Sequence, residues 1–403
     1  MTDTQPARVD IAIVGGGLVG ASLACALAPL AARQGWQVAI VEARPLPVSG
    51  EPFYQSSFDE RSSAIALGSR RHFEHIGIWE KMAEHASPIR HIHVSERGRW
   101  GTTRMQAKDV NADALGYVIP NAWMGRVLMA QLQTLPVQHY CPAQVVAAQP
   151  LCHGYRLTLS DGQRIDTSLM VLADGGRSSI KSLLGIEDEV FDYHEHALIA
   201  NVELSQPHHG VAYERFDSEG PMALLPLEGQ RMGLVWTRSS QALESLLSSS
   251  DRDFLSALQH TFGDRVGRFR KVGTRHHYPL SKRQAYEQVR PHLVLLGNAA
   301  HALHPVAGQG FNLALRGVMD LCDALDKQAQ RGESLGDMAA LSDFEQRRSQ
   351  DRLHIAEGSH LLVSLFGINN EPLSHLRSVG LAALDGAGPA RRALMRRAMG
   401  VER

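Results

Sequence analysis

The chemistry written into this sequence gathers at three groups of small and acidic residues. Gly15, Gly17 and Gly20 stand at G-x-G-x-x-G spacing, and Glu42 follows about twenty residues later. At that spacing the first glycine permits a tight turn, the second lets backbone approach a pyrophosphate, and the third lets a helix lie close on a strand. An acid placed as Glu42 is accepts hydrogen bonds from a ribose with free hydroxyls, which favours FAD or NAD over NADP. The second group, Ala173-Asp174-Gly175-Gly176, closes an apolar run and leads into a helical pattern. It sets a carboxylate and close backbone against a ligand, and Asp174 can equally cap the helix that follows. The third group joins Asn298, at the end of a hydrophobic strand, to Gly308, Gln309 and Gly310 at the start of a helix. Backbone N–H groups there face an anion or a polarised ring edge. Arg61 and Arg126 are two further candidates, each lying either over a cofactor or in solvent.

Positioning these groups requires particular elements. Val9 to Val14 reads as a strand, the alanine- and leucine-rich run behind Gly20 as a helix, and Gln37 to Val41 as a second strand, so the opening stretch is one βαβ unit. From Ser62 the pattern predicts a helix closed by Gly77, and a helical period returns from Leu115 to Leu132, carrying Arg126. Tyr155 to Leu159 and Ser168 to Leu172 flank Ser160-Asp161-Gly162 as a β-hairpin. Between Ala197 and Tyr278 short alternating strands predict an antiparallel sheet, of which Tyr213, Phe216, Met222, Leu224 and Trp236 are pocket candidates. The fold class is therefore α/β: a Rossmann-like nucleotide domain, a mainly antiparallel substrate domain and a helical C-terminal region. The expected division places the nucleotide domain in residues 1–85, 109–190 and 283–335, substrate-domain strands in 86–108, the antiparallel sheet in 191–282 and the helical region in 336–403.

Composition narrows the function classes. The chain has 403 residues, 44% of them hydrophobic and 21% charged, with a formal net charge of −1. Such a balance gives no support for a nucleic-acid partner. The N-terminus lacks the apolar core of a signal peptide, and no run is long enough to cross a bilayer, so a cytoplasmic protein is expected. Cys25, Cys141, Cys152 and Cys322 are widely spaced and read as buried small apolar residues. His301 and His304 lack a third ligand nearby, and no metal is expected. Near the C-terminus Arg391, Arg392, Arg396 and Arg397 alternate with Leu394, Met395 and Met399. Such a helix either lies on an anionic membrane surface, giving peripheral contact with its inner face, or packs its apolar stripe on the body, which is the favoured reading.

Three segments, GGGLVG with Glu42, LADGGRSSIKSLLGI and GNAAHALHPVAGQGFNLALRGVMDL, together resemble the FAD-dependent aromatic hydroxylases of ubiquinone biosynthesis, which share the para-hydroxybenzoate hydroxylase architecture. Weaker echoes such as LGYVIPN and FEQRRSQDR extend the likeness over nearly the whole chain. Most members carry aspartate where this chain has Asn298. Asparagine there, with RGESLGD, is similar to the 2-polyprenyl-6-methoxyphenol hydroxylase branch. The resemblance implies that Gly15, Gly17, Gly20 and Glu42 hold the ADP half of FAD. It sets Arg61 and Arg126 near the cofactor, Asp174 and Gly175 at its phosphate and ribityl region, and Asn298 with Gly308, Gln309 and Gly310 along the flavin. It further implies NADPH or NADH as electron donor and O2 as co-substrate, acting through a flavin hydroperoxide on a polyprenyl methoxyphenol, with no catalytic acid or base. The alternatives are a sibling hydroxylase acting on another ring position or aromatic, and a non-catalytic flavoprotein supporting a biosynthetic assembly.

Overall fold

The computed structural model describes residues 5–45, 61–302, 309–349 and 371–401. Its first layer is an eight-stranded sheet built on the strand Ala7–Val14. That strand pairs in parallel with Arg164–Leu172 on one side and Val38–Val41 on the other. Leu293–Leu295 extends the parallel run at one edge and Val137–Tyr140 at the other. Every residue of Val38–Val41 is buried, as strands covered on both faces require. The helix Leu18–Gln34 crosses one face and packs against Gln309–Gln330 and Asn121–Leu132. The expected hairpin forms, with Gly154–Leu159 antiparallel to Arg164–Leu172.

The second layer is a nine-stranded sheet that is mainly antiparallel. Asp188–Leu204 lies between Arg231–Ser239 and His276–Ala285, and the order continues through Met222–Pro226 and Val211–Phe216 to His91–Glu96 and Thr102–Gln106. Helices Ser240–Ser248 and Asp251–Phe262 cover one face, burying Leu243, Phe254, Leu258 and Phe262 against it. The other face is left for a cavity.

Two helices expected from the sequence begin later than their patterns suggest. Ser62–Ala66 is a strand, paired antiparallel with Gly116–Pro120, and helices follow only from Leu67 and Asn121. Each strand runs straight into its helix without a turn residue, so the helical period appears continuous. Of the cysteines, Cys25 and Cys322 are buried, Cys141 is partly exposed and Cys152 is exposed on the hairpin before Gly154. The reading of four buried cysteines is thus corrected for two of them.

The C-terminal helices Glu371–Gly386 and Gly388–Ala398 are tied to the substrate sheet. Arg377 pairs with Glu96 at 2.5 Å with both side chains buried. The Thr103 hydroxyl donates to the Leu381 carbonyl at 2.7 Å. Met395 and Met399 are buried with Ala107 and Leu115, so the apolar stripe of the basic helix is packed on the body. Among the described residues no helix is long and apolar enough to cross a membrane.

Candidate active site

At the end of Ala7–Val14 the chain turns at Gly15, which has φ +105°, and the Gly15 N–H donates to the Val41 carbonyl at 2.8 Å. A Cβ on Gly15 would stand 2.7 Å from the Ala173 carbonyl oxygen, and one on Gly20 only 1.9 Å from the Gly15 oxygen. These two glycines are therefore required by the packing of the chain on itself. Gly17 is different: it is extended, caps the helix Leu18–Gln34 without a side-chain bond, and a Cβ there would meet nothing within 4 Å. The space that glycine keeps open lies in front of the helix N-terminus, whose first turn carries no acid. That is a cradle for an anion such as a diphosphate. Beside it the Glu42 carboxylate accepts from the Gly16 N–H at 2.6 Å and the Arg44 N–H at 2.9 Å. A carboxylate has lone pairs left for a ribose after two such bonds.

Two more loops complete this side. Asp174 accepts from the N–H groups of Gly176 at 2.9 Å and Ser178 at 2.8 Å, so it closes a turn, and the short helix Ile180–Leu183 starts later, after Ser179. The reading of Asp174 as a helix cap is corrected accordingly. Gly175, with φ +74°, and Asp174 both line the cavity. A Cβ on Gly176 would come within 3.1 Å of the Asn298 carbonyl oxygen, which puts the second and third groups side by side. Asn298 and Gly310 line the same cavity. Gln309 begins the helix, while Gly308 and His304 lie outside the described residues. Arg126 projects into the cavity from its helix, and Arg61 lines it while donating to the Tyr278 hydroxyl at 2.9 Å. Arg61 thereby joins the nucleotide side to the strand His276–Ala285 of the sheet.

The sheet side was only half foreseen. Phe216 and Tyr213 line the cavity, the Tyr213 ring also packing on Phe262, but Met222, Leu224 and Trp236 point the other way, into the core under the helices. Strand alternation explains this, because neighbours in sequence face opposite sides of a sheet. The large residues fill the space beneath the helices. The cavity face is instead a row across the sheet, Thr103, Val94, Glu214, Ala223, Val235 and Ile199, joined pairwise by strand register. Ile92, Met105, Ala212 and Leu225 continue that face. In this apolar setting burial pushes the Glu214 carboxyl up to about 8, so it is neutral at pH 7.

Sequence reasoning also missed Asn312. Its side chain is buried, accepting from the Ala66 N–H and donating to the Ala64 carbonyl, each at 2.8 Å. It fixes the helix Gln309–Gln330 to the strand Ser62–Ala66 beside Arg61. Behind the same helix Arg348 pairs with Asp320 at 3.1 Å and donates to the Leu313 carbonyl, all buried. The FEQRRSQDR segment thus supplies a clamp for the third glycine group. No local signal marks either residue, since each depends on a partner far away in sequence.

All these surfaces enclose one cavity of about 1440 Å³. It runs from Gly15, Gly17 and Glu42 past Asp174, Asn298 and Gly310 to the sheet, and ends against Leu381, Leu384, Leu394, Met395 and Met399. Its residues fit a flavin dinucleotide: an open diphosphate cradle, an acid beside it, and a widening chamber beyond.

The comparisons agree with this geometry. Residues 8–350 match the family model described as FAD binding domain. The chain is 36% identical to the ubiquinone hydroxylase UbiL of Rhodospirillum rubrum, over 99% of this chain and 91% of that protein. It is 30% identical to the 3-demethoxyubiquinol 3-hydroxylase of Escherichia coli, over 97% and 98% respectively. Among solved structures, p-nitrophenol 4-monooxygenase PnpA from Pseudomonas putida superposes with a TM-score of 0.79 at 17% identity, covering 98% of this chain and all of that one, which is a likeness of fold. The chain therefore belongs to the FAD-binding family of flavin-dependent aromatic hydroxylases, with the hydroxylases of ubiquinone biosynthesis as its relatives.

Proposed function

We propose that this protein hydroxylates the ring of a polyprenyl methoxyphenol in ubiquinone biosynthesis, using NADH or NADPH and O2. The observation that carries this reading is the single continuous cavity, with nucleotide-binding features at one end and an apolar chamber at the other. Gly15, Gly17, Gly20 and Glu42 would hold the ADP half of FAD, and Asp174, Gly175, Asn298 and Gly310 its ribityl and ring portions, with Arg61 and Arg126 alongside. Bound FAD carries electrons from the nicotinamide to O2 and delivers one oxygen atom to the ring.

The chain's own contribution is shape and dryness. Ile92, Met105, Leu225 and Val235 give the ring an apolar floor, and Leu381, Leu384 and Met399 offer an isoprenoid tail a matching wall. Excluding water protects reactive oxygen species formed at a flavin from wasteful decay. Leu394 is 45% exposed where it lines the cavity, and Arg392, Arg396 and Arg397 on the same helix are exposed. That rim suits a lipid-tailed substrate taken up from an anionic bilayer. Reversing the three arginines to glutamate should abolish co-sedimentation with anionic vesicles, and unchanged sedimentation would remove the membrane part of the reading. The main test is purification: the protein should be yellow, or take up FAD, and a short-chain prenylated 2-methoxyphenol should accelerate its NADH or NADPH oxidation. Colourless protein that cannot be reconstituted would overturn the proposal.

A further inference from the structure

We propose that the Glu214 carboxyl grips a ring oxygen of the substrate and so selects which ring carbon is presented to the flavin. This rests on the hydroxylase reading and deepens it. Glu214 sits in the middle of the cross-sheet row, paired with Val94 on one side and Ala223 on the other. Its strand neighbours on that face are Ala212 and Phe216, so the carboxyl stands in an otherwise apolar floor. The other charged residues lining the cavity, Glu42, Arg44, Arg61, Arg126, Asp174 and Arg177, all belong to the nucleotide-binding side. Among the described residues the Glu214 carboxyl has no hydrogen-bond or ion-pair partner.

Glu214 is half-buried on that apolar floor, so a ligand filling the cavity would take its carboxyl out of water, at a cost unless something completes its hydrogen bonds. The ligand itself would do so. Burial keeps the group protonated at neutral pH, so it has one O–H to donate and one carbonyl oxygen to accept. A phenol beside a methoxy group presents the complementary pair: its hydroxyl donates to the carbonyl oxygen, and its ether oxygen receives the carboxyl proton's hydrogen bond. Two bonds to adjacent ring substituents fix the ring's rotation in its own plane, which one bond or an apolar pocket alone would not do. Glu214 thereby turns a greasy chamber into a regiospecific one, without any proton leaving it.

The test uses the FAD-loaded full chain with a short-chain prenylated 2-methoxyphenol and its deoxy counterpart lacking the ring hydroxyl, titrated by flavin absorbance. Wild type should prefer the phenol by about ten-fold, the scale of an uncharged buried hydrogen bond left unmade. Glu214→Leu should lose that preference, scatter oxygen among ring positions and release more H2O2 per NADH consumed. Glu214→Ala, which copies Ala212 and Ala223 on the same face, guards against a folding artefact and should behave alike. Glu214→Gln keeps a donor and an acceptor, and should stay within about three-fold of wild type in affinity and retain its product. If the wild type hydroxylates the phenol while both truncations keep the same preference and the same single product, the inference is overturned and the function stands. If the wild type neither binds nor oxidises the phenol, both fall together.

Discussion

Alanine at Gly17 and alanine at Gly20 should fail in opposite ways. At Gly20 the new Cβ would lie 1.9 Å from the Gly15 oxygen, against about 3.3 Å for an ordinary carbon–oxygen contact. Helix and strand would have to part, costing about 3 kcal/mol before any ligand is considered. At Gly17 the backbone is extended and the Cβ meets nothing within 4 Å, so the ligand-free protein should keep its stability or gain about 0.4–1 kcal/mol. The methyl would instead occupy the diphosphate approach. Losing two charge-assisted N–H bonds there costs about 3 kcal/mol, or roughly a hundred-fold in FAD affinity. The assay is a thermal melt of deflavinated protein with and without FAD at about one hundred times the wild-type Kd. Wild type should gain about 2.7 kcal/mol from FAD and Gly17→Ala only about 0.4 kcal/mol, while Gly20→Ala melts early in both conditions. Gly17→Ala binding FAD as tightly as wild type would refute the assignment of the cradle.

Other expectations come from buried groups. Arg348→Met removes the ion-pair partner that the buried Asp320 carboxylate has in Arg348 and should cost about 3 kcal/mol in denaturant unfolding, most of which the double variant with Asp320→Leu should restore; a cost that the second change fails to relieve would argue against the clamp. Burial pushes the Cys25 thiol up to about 12 and raises Cys322 as well, whereas Cys152 is exposed and Cys141 partly so. A thiol reagent at pH 8 should therefore reach Cys152 and Cys141 in the folded protein, with Cys25 and Cys322 reacting only on unfolding, and prompt labelling of Cys25 would contradict the packing. The Glu214 carboxyl titrates near 8 when folded against an ordinary 4.5, so the unfolded chain releases that proton first as pH rises. Its contribution to stability is complete below about 4.5 and is lost between there and 8, on the order of 4 kcal/mol. Wild type should accordingly lose stability relative to Glu214→Leu across that window, and parallel curves would show that the carboxyl is solvated.

The nucleotide end was legible because Gly15 and Gly20 have local steric causes, Gly17 keeps the front of the helix open, and a strand, a helix and an acid follow in order. The hairpin before Asp174 was legible for the same reason, with Asp161 and Gly162 marking its turn. What escaped depends on residues brought together from afar. Ser62–Ala66 becomes a strand because Gly116–Pro120 lies beside it, and nothing within five residues of either signals the pairing. Alternation in Met222–Pro226 and Arg231–Ser239 reveals two faces without saying which one the helices will cover. Large side chains suggested a pocket, yet Trp236 fills the core against Phe254, and the cavity face carries the smaller Ala223 and Val235. Glu214 looked like any acid on an alternating strand until register set it between Val94 and Ala223.

The most direct measurement is a single turnover of FAD-loaded, NADH- or NADPH-reduced protein with a short-chain prenylated 2-methoxyphenol under 18O2, followed by mass spectrometry of the product. One labelled hydroxyl on the ring, formed by a flavin and a phenol sharing the chamber between Gly17 and Glu214, is the expected result. Reduced flavin that reoxidises at the same rate with and without the phenol, leaving the ring unlabelled, would contradict it.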